Sequence, residues 1–156
     1  MRGKRAKRKT QKVDRKYGSP IIGRFVTKVM QDGKKSVAED LVYSAVENGA
    51  NTVKEKDIVT FVNKAVDNVR PSLEIKARRV GGANYSIPMP VSPARQESLA
   101  IRWVVDAARM KSGDSFTNIL RKEMIDVYNG QGAAYEKKLN VERMAEANKA
   151  FAHFKW

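Results

Sequence analysis

The hydrophobic period of this chain changes twice, and that change limits the folds open to it. Before Pro71 apolar residues recur every three or four positions, from Leu73 to Val91 they alternate, and after Ser92-Pro93 the longer period returns. Recurrence at i, i+3, i+4 and i+7 marks one face of an amphipathic helix, whereas alternation marks a half-buried strand. The pattern predicts a mainly α fold, a six-helix domain with one protruding β-hairpin (a β-ribbon).

Ser19-Pro20 is a helix start, an N-cap followed by a proline at the first helical position. Ile22, Phe25, Val26, Val29 and Met30 continue that helix, and Asp32-Gly33 breaks it. Ser36 to Glu39 reads as a capping box. It opens a second helix with Val37, Leu41, Val42, Ala45 and Val46 inside, fading near Asn48-Gly49. Asp57 can cap a third, with Ile58, Phe61, Val62, Ala65, Val66 and Val69 on one face and Pro71 as its stop.

Leu73, Ile75 and Ala77 then alternate with polar residues, and so do Ala83, Tyr85, Ile87, Met89 and Val91. Between them Gly81-Gly82 can take φ > 0 and turn tightly. Pro88 and Pro90 cannot donate to a ladder, so the return strand should end early or form an edge. A lone hairpin is marginal, so its base should rest on helices. Ser92-Pro93 starts a fourth helix that ends near Lys111-Ser112-Gly113. Asp114 or Ser115 caps a fifth, carrying Phe116, Ile119, Leu120, Met124 and Val127. A sixth covers 133–147 with Ala134, Val141, Met144 and Ala145 as its stripe, and the last nine residues have no clear period. The 156 residues suffice for one core. The expected division is a basic arm over 1–18, a helical domain over 19–147 with its hairpin at 73–91, and a tail over 148–156.

Charge narrows the function. The formal net charge is +14. Residues 1–16 carry nine bases against one acid, residues 17–69 balance at seven against seven, and residues 70–111 hold eight against three. The first block (Arg2, Lys4, Arg5, Lys7, Arg8, Lys9, Lys12, Arg15, Lys16) has almost nothing apolar to bury, so it should be disordered alone. Extended, it reaches ~50 Å. A surplus of this size points to an anionic partner, nucleic acid first. A solubilising tail or nuclear address would explain the arm, but not the second basic block inside the fold.

That second block surrounds the hairpin. Arg70, Lys76, Arg78, Arg79 and Arg95 face Glu74 alone. Lysines that blunt an exposed edge explain one or two such charges, but not an arginine pair beside Gly81 and Gly82, where backbone can approach a partner closely. Lys34 and Lys35 lie just before the second helix. They oppose its dipole unless a phosphate binds there, and the bland alternative is a pair of solvated lysines. Arg95, Arg102 and Arg109 are seven apart and form one stripe on the fourth helix, although Asp106 could pair with Arg102. Phe151, Phe154 and Trp156 alternate with cations at the C-terminus. They suit either base stacking or packing back onto the core.

Other chemistries find little support. The chain has no cysteine and one histidine, His153, so neither a cysteine-based metal site nor a Ser-His-Asp centre is expected. Gly33-Lys34-Lys35-Ser36 echoes a P-loop ending, but Lys28 stands where the earlier glycine should be. No apolar run approaches a membrane span, and no apolar stretch follows the basic start as a secretory signal would need. No acid pair stands out for acid–base work, so no enzyme and no cofactor is expected. One class that the basic arm would suit is a DNA-binding or nuclear architectural protein, but a protein of that kind would leave its folded part neutral.

From end to end the chain resembles the bacterial small-subunit ribosomal protein S-seven family. The resemblance lies in Val26 to Ser36 (VTKVMQDGKKS), Leu73 to Tyr85 (LEIKARRVGGANY), Leu99 to Arg109 (LAIRWVVDAAR) and Arg143 to Trp156 (RMAEANKAFAHFKW). It departs where members often carry Asp-Pro before Lys-Tyr, since Asp14-Arg15 precedes Lys16-Tyr17 here. The resemblance implies primary binding to the 3′ major domain of small-subunit ribosomal RNA and nucleation of head assembly. It also implies a hairpin at the subunit interface near exit-site transfer RNA and the messenger path. Implied neighbours are the head and platform proteins numbered nine and eleven, in the cytoplasmic ribosome. Some members repress translation of their own messenger.

Overall fold

The computed structural model describes Gly3 and residues 13–154, with Val80 and Phe154 as backbone only. Helices α1 (Pro20–Val29), α2 (Lys35–Val53) and α3 (Ile58–Val69) precede an antiparallel pair, β1 (Leu73–Val80) and β2 (Ala83–Pro90). Helices α4 (Pro93–Met110), α5 (Phe116–Tyr128) and α6 (Ala133–Ala147) follow, and a short 3₁₀ helix spans Lys149–Phe154. The mainly α fold with one hairpin is as the periodicity predicts.

Side-chain caps set three of the helix starts. The Ser19 side chain accepts from the Ile22 N–H, and Asp57 accepts from Val59 and Thr60. Ser115, rather than Asp114, caps α5 by accepting from Asn118. Asp114 gathers the Ser115 N–H, the Asn118 amide and the Lys122 ammonium just outside. Those bonds, with Asn118 the strongest, hold its carboxyl down to about 2.

Helix α2 departs from the sequence expectation. It starts at Lys35 with Lys34 at the N-cap, so Ser36 lies inside the first turn and no side chain caps the end. Asp32 and Gly33 both take positive φ, and this turn sets the start ahead of Ser36. Val37 is 53% exposed, and the smaller Ala38 is the buried residue. The helix also continues through Gly49 to Val53. A Cβ at Gly49 would lie 3.0 Å from the Phe61 ring, so the missing side chain is what lets α3 approach. On α6, Met144 is 48% exposed instead of buried, while Ala134 and Ala145 face inward.

Helix α5 packs against α2, α3, α4 and α6. Its Leu120, Met124 and Val127 meet Phe25, Val46, Phe61, Val66 and Val105 in one buried cluster. Each such side chain contributes about 1.5–3 kcal/mol by leaving water. The hairpin stands apart, its base against α6 and its return strand against the 3₁₀ helix. Leu73 pairs with Pro90, Ile75 with Pro88 and Arg78 with Tyr85. Both strands are edges, which accommodates the two prolines. Tyr85 stacks on Phe151 at 5.4 Å between ring centroids. That aromatic therefore folds back on the hairpin, a possibility outside the base-stacking and core-packing alternatives.

Asp14 is buried, and its carboxylate accepts from the N–H groups of Lys16, Tyr17 and Ser19. Lys16 and the Tyr17 hydroxyl both donate to Glu47. Burial, then that bond, pushes the Tyr17 hydroxyl up to about 12. The segment entering α1 is thus tied to α2.

Glu123 is fully buried, although Arg121 and Lys122 stand beside it in sequence. Its carboxylate takes the Lys111 ammonium at 2.6 Å and the Ala134 N–H at 2.9 Å. One carboxylate thereby joins the end of α4, α5 and the start of α6. Glu123→Ala leaves a buried amide and an ammonium without their acceptor, an expected loss of about 3 kcal/mol in urea-monitored unfolding. Glu123→Gln keeps an acceptor for Ala134 and should lose less.

Candidate nucleic-acid interface

Helix α4 forms the spine of the basic surface. Ser92-Pro93 starts it, and its apolar face (Ala100, Val104, Ala107, Ala108) is buried, which leaves Arg95, Arg102 and Arg109 on the exposed side. From Arg95 to Arg109 the stripe runs about 21 Å at 1.5 Å per residue.

The three arginines do different work. Arg95 sends its Nε to both Glu74 oxygens, at 2.7 and 2.9 Å. Lys76 reaches the same carboxylate at 3.3 Å. Glu74 is buried at the hairpin base, so these contacts tie β1 to the first turn of α4. Arg109 donates to the carbonyls of Lys28 and Val29 at 3.1 and 3.2 Å. It satisfies two acceptors that the end of α1 leaves open and pins α1 to α4. Among the described residues Arg102 has no ion pair or side-chain hydrogen bond. Asp106, its expected partner, instead lies 3.8 Å from Lys28.

A cleft of about 530 Å³ between α1 and α4 is lined by Arg24, Lys28 and Arg102. Sequence reasoning missed Arg24 and Lys28. Their i, i+4 spacing away from the apolar stripe was a signal, but their meeting with Arg102 is tertiary. Glu97 holds Arg24 at 2.5 Å and Arg70 at 3.7 Å, and Arg70 also meets Asp67. So Arg70 and Arg24 are already partly neutralised.

At the far end of α1 the chain turns through Asp32-Gly33 into Lys34 and Lys35, both exposed. Lys35 pairs with Glu39 at 3.2 Å, which leaves Lys34 the freer of the two. At the other end Arg79 is exposed and Arg78 half-buried, just before Gly81 and Gly82 at φ +59° and +90°. Positive φ at both central residues matches the twist of a two-residue hairpin turn. Arg2, Lys4, Arg5, Lys7, Arg8, Lys9 and Lys12, with Lys155 and Trp156, lie outside the described residues. Among the described residues no cluster of acids and histidine could hold a metal ion, and no helix is long and apolar enough to cross a membrane.

Hairpin tip, hairpin base, α4, the end of α1 and the start of α2 thus follow one another as a connected basic strip. Such a strip suits a phosphate backbone better than a small substrate.

Comparison with known proteins agrees with this geometry. Residues 1–149 match the family described as ribosomal protein S7p/S5e. Small ribosomal subunit protein uS7 of Nautilia profundicola is 47% identical over 156 residues, covering 100% of both chains. The uS7 of Borrelia hermsii is 44% identical over 155 residues, 99% of this chain and 98% of the relative. The uS7 of Petrotoga mobilis is 46% identical over 156 residues, again covering 100% of both. A basic strip on a helical body with one hairpin, matched over nearly its whole length, places this chain in the S7p/S5e family of ribosomal proteins, the uS7 proteins of the small subunit.

Proposed function

We propose that this protein anchors the 3′ major domain of small-subunit ribosomal RNA and nucleates assembly of the head. The strip from Arg79 through Arg95 and Arg102 to Lys34 carries this reading. The folded part keeps its own excess of cations along one connected surface, and only some of them are neutralised by neighbouring acids. Binding then draws on release of counterions from the RNA and on the fixed spacing of the cations, with no chemical step. Gly81 and Gly82 let the hairpin tip approach exit-site transfer RNA or messenger closely, and the head and platform proteins nine and eleven are its protein neighbours. The site of action is the cytoplasmic ribosome. A basic-arm DNA-binding or nuclear architectural role gains no support from a fold charged in this way.

The arm should supply affinity more than selectivity. Affinity for a transcript of the 3′ major domain should fall with salt at a log–log slope of roughly 0.7–0.9 per phosphate neutralised. Removing residues 2–12 should flatten that slope while the transcript stays preferred over unrelated RNA. Arg102→Ala should flatten it by about one and leave the melt unchanged. Arg109→Ala should instead lower the melting temperature, because it releases the end of α1. An unchanged slope in the truncated protein would remove the arm from the interface.

The hairpin tip should matter after assembly. Replacing residues 78–84 by a short turn removes little buried surface. Melting and entry into small subunits should therefore persist, while occupancy of deacylated transfer RNA or reading-frame maintenance changes. A shortened protein that never enters small subunits would make the tip an assembly anchor instead.

A further inference from the structure

A second groove, of about 470 Å³, lies between the C-terminal half of α4 and the start of α6. Trp103 and Met110, two helical turns apart on the same face of α4, form its apolar floor. Trp103 is half-buried, and Met110 is 88% exposed, more than any other large apolar residue described. Arg102, Lys111 and Lys137 stand around this floor with Asp106. Lys111 is committed to Glu123 at 2.6 Å, and Asp106 faces Lys28 at 3.8 Å. Among the described residues Arg102 and Lys137 have no partner.

We propose that this groove is a binding slot for one unpaired nucleobase of RNA. The inference rests on the RNA-binding reading above and names a contact beyond the phosphate strip. The occupant needs a flat apolar body to cover an indole and a thioether, and a negative group within reach of two free cations. A nucleotide joins the two. Indole faces stack on any base, and thioethers pack favourably against π systems. Arg102 lines both this groove and the α1–α4 cleft, so a strand whose phosphates follow the strip passes the slot's edge. An acidic peptide with an apolar anchor is the competing occupant, and the test separates it.

Trp156 is the other tryptophan, so Trp156→Phe leaves Trp103 as the sole indole reporter. This protein is titrated with a transcript of the 3′ major domain, following indole emission and, in parallel, anisotropy of the labelled transcript. The proposal expects emission to be quenched with the midpoint that anisotropy reports. Trp103→Ala should weaken binding about tenfold, in line with the loss of one stacked base. Trp103→Phe, which keeps a π face, should retain most of the affinity. Met110→Ala, at a position too exposed to affect folding, should weaken binding about threefold, and it carries the test should Trp103→Ala lower the melting temperature. Tight binding with an unquenched indole and unchanged Met110→Ala affinity would overturn the slot and leave the RNA-binding reading standing. Quenching seen only in complete small subunits would assign the groove to a neighbouring protein and overturn the proposal. Failure of the parent to prefer the transcript over unrelated RNA would overturn both readings.

Discussion

The surface depends on one buried carboxylate at the foot of the hairpin. Glu74 holds Arg95 through two short bonds and Lys76 through a longer one. Two strands alone bury too little to fix their own direction, and packing on α6 and the 3₁₀ helix supports them without reaching α4. With Glu74 in place the hairpin is coupled to α4, and α4 is coupled through Arg109 to the end of α1. Cations spaced along three elements thus become one array. A charge pair this close to solvent contributes modestly to stability. Its larger effect is on orientation.

The same device recurs away from the strip. Asp14 gathers three N–H groups at the entry to α1, and Glu123 joins the end of α4 to the start of α6. Acids are outnumbered 17 to 31 in this chain, and Asp14, Glu74 and Glu123 are buried at junctions between elements. Acids spent there do not screen the exposed arginines. The chain can therefore be rigid and strongly cationic together, a combination that otherwise works against folding through self-repulsion.

Much of the fold was legible because its signals are local. Ser19-Pro20, Asp57 and the paired glycines act through neighbouring backbone, so α1, α3 and the hairpin follow from a few residues each. The limits of α6 at 133 and 147 were legible in the same way. Helix α2 was misread at its start because a turn with positive φ at Asp32 outweighed an apparent capping box. Val37 was misread because the inward face of α2 runs through Ala38, Val42, Ala45 and Val46 and leaves Val37 beside it. Glu123 was not singled out, because adjacent cations in sequence say nothing about a lysine twelve positions upstream that folds over it. The basic residues of the proposed interface were visible as residue types. Their division into free and engaged was not, since Arg102, Arg95 and Arg109 look alike until Glu74 and two carbonyls of α1 are in place.

The central claim is that orientation of the hairpin, more than total charge, sets RNA binding. Glu74→Ala tests it most directly, because charge and geometry then pull in opposite directions. Removing an acid makes the protein more cationic, and electrostatics alone would tighten its grip on RNA. The measurement is the affinity of Glu74→Ala for the 3′ major domain transcript at fixed salt, with the far-UV melt as the folding control. Weaker binding by a protein that melts like its parent is the predicted result. Equal or tighter binding would contradict the account.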